Sequence, residues 1–217
     1  MIAKLQSLQE LSPSHRSCGE QLFKSCGAEV FPCDAIAFAI LDRSLSLLKG
    51  FHLLLLNGGY ISGAGLLRMQ LDNVLRFNGI IRSADPHDVA NSIINGVQLR
   101  TLKDSSGNKM TDRRLVEILA VKNPWITQVY DLASSYVHLS DSHIRHFLLR
   151  SKKNESGLRD FAIGDEDGYL SVDHKETLID AFAVLTRAVL TIVGQWSVDR
   201  DQHGRNDELK SRFNVAV

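Results

Sequence analysis

The sequence predicts an all-α fold: a helical bundle around a long antiparallel αα-hairpin, with one small inserted β-hairpin. Three observations carry this. Two long stretches, 34–57 and 60–82, repeat apolar residues at helical spacing and are separated only by Gly58-Gly59. So short a connection folds the second helix back antiparallel on the first. A third long stripe, Leu178, Phe182, Leu185, Val189 and Ile192/Val193, follows near the C-terminus. Residues 158–172 differ, alternating Leu158, Phe161 and Ile163 with other residues around a Gly164–Gly168 loop, which is a hairpin signal.

Taken in order, residues 1–33 are punctuated by Pro13, Gly19, Gly27 and Pro32 and read as an irregular lead-in with one short helix near Cys18–Ser25. A single helical domain then spans 34–198, with the hairpin insert at 158–172. Asp34 caps the first long helix, whose stripe is Ile36, Ile40, Leu47, Leu48, Phe51 and Leu55. Gly63, Ala64 and Gly65 allow the second to approach it closely. Asp85-Pro86 starts a helix to about Leu102, since proline suits a first helical turn. Lys103–Lys109 is a loop, Thr111–Val121 a short helix, and Asn123-Pro124 opens another from Trp125 to about Leu139, continued to Arg150. Asp173 caps the last long helix, to about Val198, and residues 199–217 form a charged tail expected to fray.

Composition narrows the function classes. Lys+Arg and Asp+Glu are 25 each, so the net charge is zero, which disfavours a nucleic-acid coat protein or a polybasic membrane binder. Aromatic residues are 7%, too few for a broad base-stacking platform. Cys18, Cys26 and Cys33 form no C-x-x-C pair, so neither a zinc site nor any other cofactor is expected, and unpaired thiols fit a cytoplasmic location. Asp42, Arg43, Lys49 and His52 interrupt the most apolar stretch, Ala35–Leu56, so no membrane span is expected. The apolar positions of 34–57 lie on more than one face, Phe38, Leu41, Leu45 and Leu53 among them. A helix apolar all round needs covering on all sides, and a homodimer is the expected cover.

Two constellations could carry chemistry. In Leu132–His146, three histidines fall within nine residues. On a helix, Asp131, Ser134, His138 and Arg145 share one polar face, offering a base, a carboxylate, a hydroxyl and a cation. The same stripe is also what a solvated face looks like. The set His138, His143 and His146 lacks the i, i+4 spacing of helical metal pairs. The second constellation is the ladder Arg68, Asp72 and Arg76 at i, i+4, i+8, with Arg68 embedded among leucines. It reads either as a structural ion pair or as a phosphate-binding arginine with its orienting carboxylate.

Leu67-Arg68-Met69-Gln70-Leu71-Asp72 and Ser135-Tyr136-Val137-His138-Leu139-Ser140 together resemble an uncharacterised bacterial helical family with an Arg, a carboxylate four residues on, and a Tyr-(Ile/Val)-His-x-Ser stretch. That family is similar in outline to HEPN domains, many of which are RNA-cleaving toxins or defence effectors. The resemblance implies a partner that is RNA or a nucleotide and metal-independent acid/base chemistry. His138 would move the proton, Arg68 would stabilise phosphate charge, Asp72 would orient Arg68, and His143, Arg145 and Ser134 would contact substrate. The Arg-x4–6-His spacing of that class has one formal match, Arg82 to His87, interrupted by Asp85-Pro86; chance alone gives roughly 1.7 such matches. The alternative from another class is a non-enzymatic helical interaction module, and a histidine-based metallohydrolase is a third.

Overall fold

The computed structural model describes residues 1–27, 29–137, 144, 147–148, 151–161 and 170–213. Its helices are α1 (Ile2–Gln9), α2 (Ser12–Ser25), α3 (Pro32–Leu56), α4 (Tyr60–Ile81), α5 (Pro86–Ile94), α6 (Asp112–Ala120), α7 (Trp125–Val137), α8 (Val172–Asp199) and α9 (Asn206–Arg212). Two strands, β1 (Lys152–Lys153) and β2 (Arg159–Asp160), pair antiparallel.

The α3–α4 hairpin forms as the sequence predicts. Gly58 takes φ 76°, the left-handed conformation that ends α3. The antiparallel helices then approach closely at Gly63, where an added Cβ would lie 2.4 Å from Leu55 Cδ1. Ala64 is fully buried, whereas Gly65 has open space around it.

α4 is the central element, packed on α3, α7 and α8. Leu67, Leu71, Val74, Leu75 and Phe77 are buried on more than one of its faces. α8 closes the bundle across α2, α3 and α4, with Phe182 stacked on Phe51 at 4.0 Å between ring centres. By length and hydropathy α8 and the turn after it, Val172–His203, could cross a membrane, contrary to the sequence expectation. Within the fold, Leu178, Phe182, Leu185, Val189 and Trp196 are buried against the bundle, as in a core helix.

A polar thread crosses this core. Gln70 Nε2 donates to Ser44 Oγ (2.7 Å) and Thr186 Oγ1 (3.0 Å), and Asn73 Nδ2 donates to Gln70 Oε1 (3.1 Å). His15 Nδ1 lies 2.9 Å from the Leu11 carbonyl, which can only accept; His15 Nε2 therefore accepts from Ser44 Oγ at 3.0 Å. Each of these buried groups gains a partner, which removes the desolvation penalty of leaving it bare.

The ends are more ordered than their composition implies. The 1–33 lead-in holds two helices, and Leu5 and Leu8 of α1 are buried. In place of a frayed tail after residue 198, a 3-10 turn (Arg200–His203) and α9 fold back. Arg200 is the reason: its Nε lies 3.1 Å from both Asp34 oxygens, its Nη1 donates to Asn206 Oδ1, and its guanidinium sits over Phe31. Asp34 is not the cap expected of it: α3 starts at Pro32 with Phe31 as its cap, so Asp34 sits in the first turn, where it accepts from Phe31 N and Trp196 Nε1 and is fully buried.

Two further boundaries differ. α5 stops at Ile94 because Gly96 takes φ 87°, and a 3-10 turn at Leu99–Thr101 replaces the rest of the expected helix. The inserted hairpin turns at 154–157, where Asn154 Oδ1 accepts from Ser156 N and Leu158 N and Gly157 takes φ 78°. The expected Gly164–Gly168 loop lies outside the described residues.

Candidate functional site

The Arg68–Asp72–Arg76 ladder lies on the face of α4 toward α6 and α7 and joins a five-member ionic cluster. Asp72 receives Arg76 Nε at 2.7 Å, Arg43 Nη1 of α3 at 3.5 Å and Arg68 Nη1 at 3.7 Å. Asp112, the first residue of α6, receives Arg68 Nη2 at 2.8 Å and Arg76 Nη2 at 3.5 Å. Arg68 is thus held most tightly by Asp112, a partner that spacing along one helix does not reveal, and Asp72 by Arg76, its i, i+4 neighbour. Arg43 also donates to Asn73 Oδ1 at 2.5 Å, which ties the cluster to the polar thread through the core.

Three arginines share two carboxylates, so the cluster keeps a positive surplus. Arg68 is only 16% exposed, and its guanidinium lies 4.9 Å from the centre of the Tyr130 ring on α7. A planar guanidinium fixed by a carboxylate and an aromatic face is pre-organised to receive a phosphate with little loss of side-chain freedom.

Of the residues expected to contact substrate, Ser134 is half-buried on α7, one turn beyond Tyr130. His138, His143 and Arg145 lie outside the described residues. Arg68 and Asp72 come together as expected. Arg43, Asp112 and Tyr130 join them from α3, α6 and α7, and only tertiary packing supplies those partners. The one sequence signal was Arg43 itself, a cation inside the most apolar stretch of the chain.

The chance-level match Arg82–His87 leads elsewhere. His87 is fully buried on α5; its Nδ1 accepts from Cys33 N at 3.3 Å, and its ring packs edge-on to Phe31 and Trp196. Burial pushes its pKa down to about 4, partly offset by Asp34. Burial likewise raises Cys26 to about 11 and Cys33 well above the ordinary thiol range, so these thiols stay protonated and unreactive. Among the described residues, no three His, Cys, Asp or Glu side chains gather as a metal site would require.

Beside the ionic cluster, a cleft of about 940 Å³ opens between α3, α4, α5 with the 3-10 turn after it, and the start of α6. Arg43, Asn73, Arg76 and Asp112 line it, so the cluster forms one of its walls. No family model, no curated protein and no solved structure matches this chain.

Proposed function

We propose that the protein acts on RNA or a nucleotide by metal-independent acid/base chemistry at the face shared by α4, α6 and α7, as a ribonuclease of the defence or toxin type. The observation that carries this reading is Arg68, held between Asp112 and Tyr130 with Asp72 beside it. A phosphodiester approaching Arg68 exchanges one carboxylate partner for another anion, and the cluster's surplus charge favours that exchange. Tyr130 joins Arg68 to α7, the helix whose sequence runs on toward His138.

In this mechanism His138 removes the 2′-hydroxyl proton. The 2′-oxygen bonds to phosphorus, the bond from phosphorus to the 5′-oxygen breaks, and the leaving oxygen takes up a proton, giving a 2′,3′-cyclic phosphate. Arg68 stabilises charge on the non-bridging oxygens, Asp72 and Asp112 are positioning residues, and Ser134, His143 and Arg145 contact the strand.

A second reading, a non-enzymatic interaction module, has its own support. Every arginine of the cluster already has a carboxylate partner. Apolar side chains at Val137, Ile144 and Leu148 are exposed, and Phe147 stacks on an exposed Phe161 at 5.2 Å. Titrating labelled mixed-sequence RNA over a salt series tests the first reading. Binding is expected to weaken with salt, and Arg68→Ala to lower the slope by about one phosphate contact. RNA that fails to bind, or binds with an unchanged slope, would favour the module.

A further inference from the structure

We infer that the cleft between α3, α4, α5 and the start of α6 binds a small anionic amphiphile, a single phosphate or carboxylate head on a flexible aliphatic body. The inference concerns a different ligand class from the RNA reading and does not rest on it. No described residue of α7 lines this cleft.

Its size, about 940 Å³, falls within the range of small-molecule pockets, roughly 300–1,000 Å³. Its apolar lining is Ile36, Ile40, Ile80, Ile93, Val97 and Leu99, together with Ala39. All are aliphatic, and no aromatic ring lines it among the described residues. A nucleobase is held chiefly by stacking on rings or by base-edge hydrogen bonds. This surface offers no ring, and its polar side chains Asn73, Gln98 and Thr111 are already engaged with Arg43 and Gln70, with Arg100, and with the Arg114 amide. Branched aliphatic side chains suit a hydrocarbon chain, whose transfer from water gains about 0.8 kcal/mol per methylene.

Cations are in surplus. Arg43, Arg76, Arg100 and Arg113 line the cleft with one carboxylate, Asp112, and they still outnumber the carboxylates when Asp72 behind Arg43 and Arg76 and Glu117 beside Arg113 are counted. Arg43 and Arg76 are fixed in advance by Asn73 and Asp72, so engaging a head group costs little further ordering. Arg100, held by Gln98 Oε1 at 2.7 Å, and the exposed Arg113 stand at the rim. The first turn of the nine-residue α6 faces the same space and adds the positive end of its dipole. Fixed cations beside an aliphatic wall match a molecule that is anionic at one end and oily along its length, present as a free monomer.

Calorimetric titration with decyl phosphate below its micelle concentration tests this on the intact chain. Saturable one-site binding is expected, with decanol and inorganic phosphate each about tenfold weaker or more. Val97→Asp and Arg100→Glu alter exposed positions, so folding can be checked by helical circular dichroism and melting. Each is expected to weaken decyl phosphate binding by about tenfold or more. The inference is overturned if decyl phosphate does not bind saturably, if both folded variants bind it as wild type does, or if association is seen only with phosphatidic-acid vesicles.

Discussion

His87 and Asp34 show what single residues do where helix ends meet. Asp34 is fully buried and satisfied by Arg200, Trp196 and the Phe31 amide; His87 lies beside it, neutral, with Asp85, Arg200 and Arg212 also near. Because burial holds the pKa of His87 at about 4 against an ordinary 6.5, the unfolded chain binds more protons than the folded one between those values. The stability tied to neutral His87 is therefore complete above about pH 6.5 and is lost as the pH falls toward 4, by about 3 kcal/mol in all. Urea unfolding at pH 7.5 and 5.0 checks this, and His87→Gln is expected to flatten that part of the profile. At the ionic cluster, Arg68→Ala leaves Asp72 with Arg76 and Arg43, so no buried carboxylate is orphaned. Its cost is expected at about 1 kcal/mol. Asp72→Ala leaves three arginines with Asp112 alone and is expected to cost more, about 2–3 kcal/mol. Melting curves for the two variants in the reverse order would contradict this geometry.

At the scale of elements, the contact between α3 and α4 rests on Gly63 and Ala64, and Gly65 has no part in it. Gly63→Ala drives a methyl into buried Leu55 and is expected to destabilise by roughly 1 kcal/mol. Gly65→Ala meets open space and is expected to stabilise by about as much through helix propensity. Paired chemical denaturation reads both, and equal effects would contradict the assigned interface. α3, α4, α6, α7 and α8 were legible because apolar spacing and Gly58, Thr111 and Pro124 mark their bodies and ends. α1 and α9 were not, since each is short, and they are held by burying Leu5 and Leu8 in the main core and Leu209 against Phe31 and Phe213. The turn at Asn154–Gly157 is a weak signal in sequence, carried by one Asn side chain and one positive-φ glycine, whereas the expected Gly164–Gly168 loop lies outside the described residues. The site was half legible. The ladder Arg68–Asp72 follows from spacing on one helix, whereas Asp112, Tyr130 and Arg43 reach it only through packing of three other helices.

Across the whole molecule, α3 is wrapped by α1, α2, α4, α5 and α8 of the same chain, which covers Leu41 fully and Phe38 and Leu45 in part, leaving Leu53 and Leu56 exposed at its end. Much of the apolar surface that called for a second copy is thus met within one chain. The buried polar thread from His15 to Asn73 joins α2, α3, α4 and α8 and ends on Arg43, so the ionic cluster is anchored to the core rather than laid on the surface. Charges anchored in this way stay in place, which is the condition the proposed phosphate-stabilising role of Arg68 requires. The most direct measurement of that claim is cleavage of mixed-sequence RNA with chelator present, run on wild type, His138→Ala and Arg68→Ala at equal folded concentration. Wild type is expected to generate 2′,3′-cyclic phosphate ends, and both variants to lose cleavage while melting within a few degrees of it. RNA left intact by wild type, or cut as well by either variant, would contradict the account.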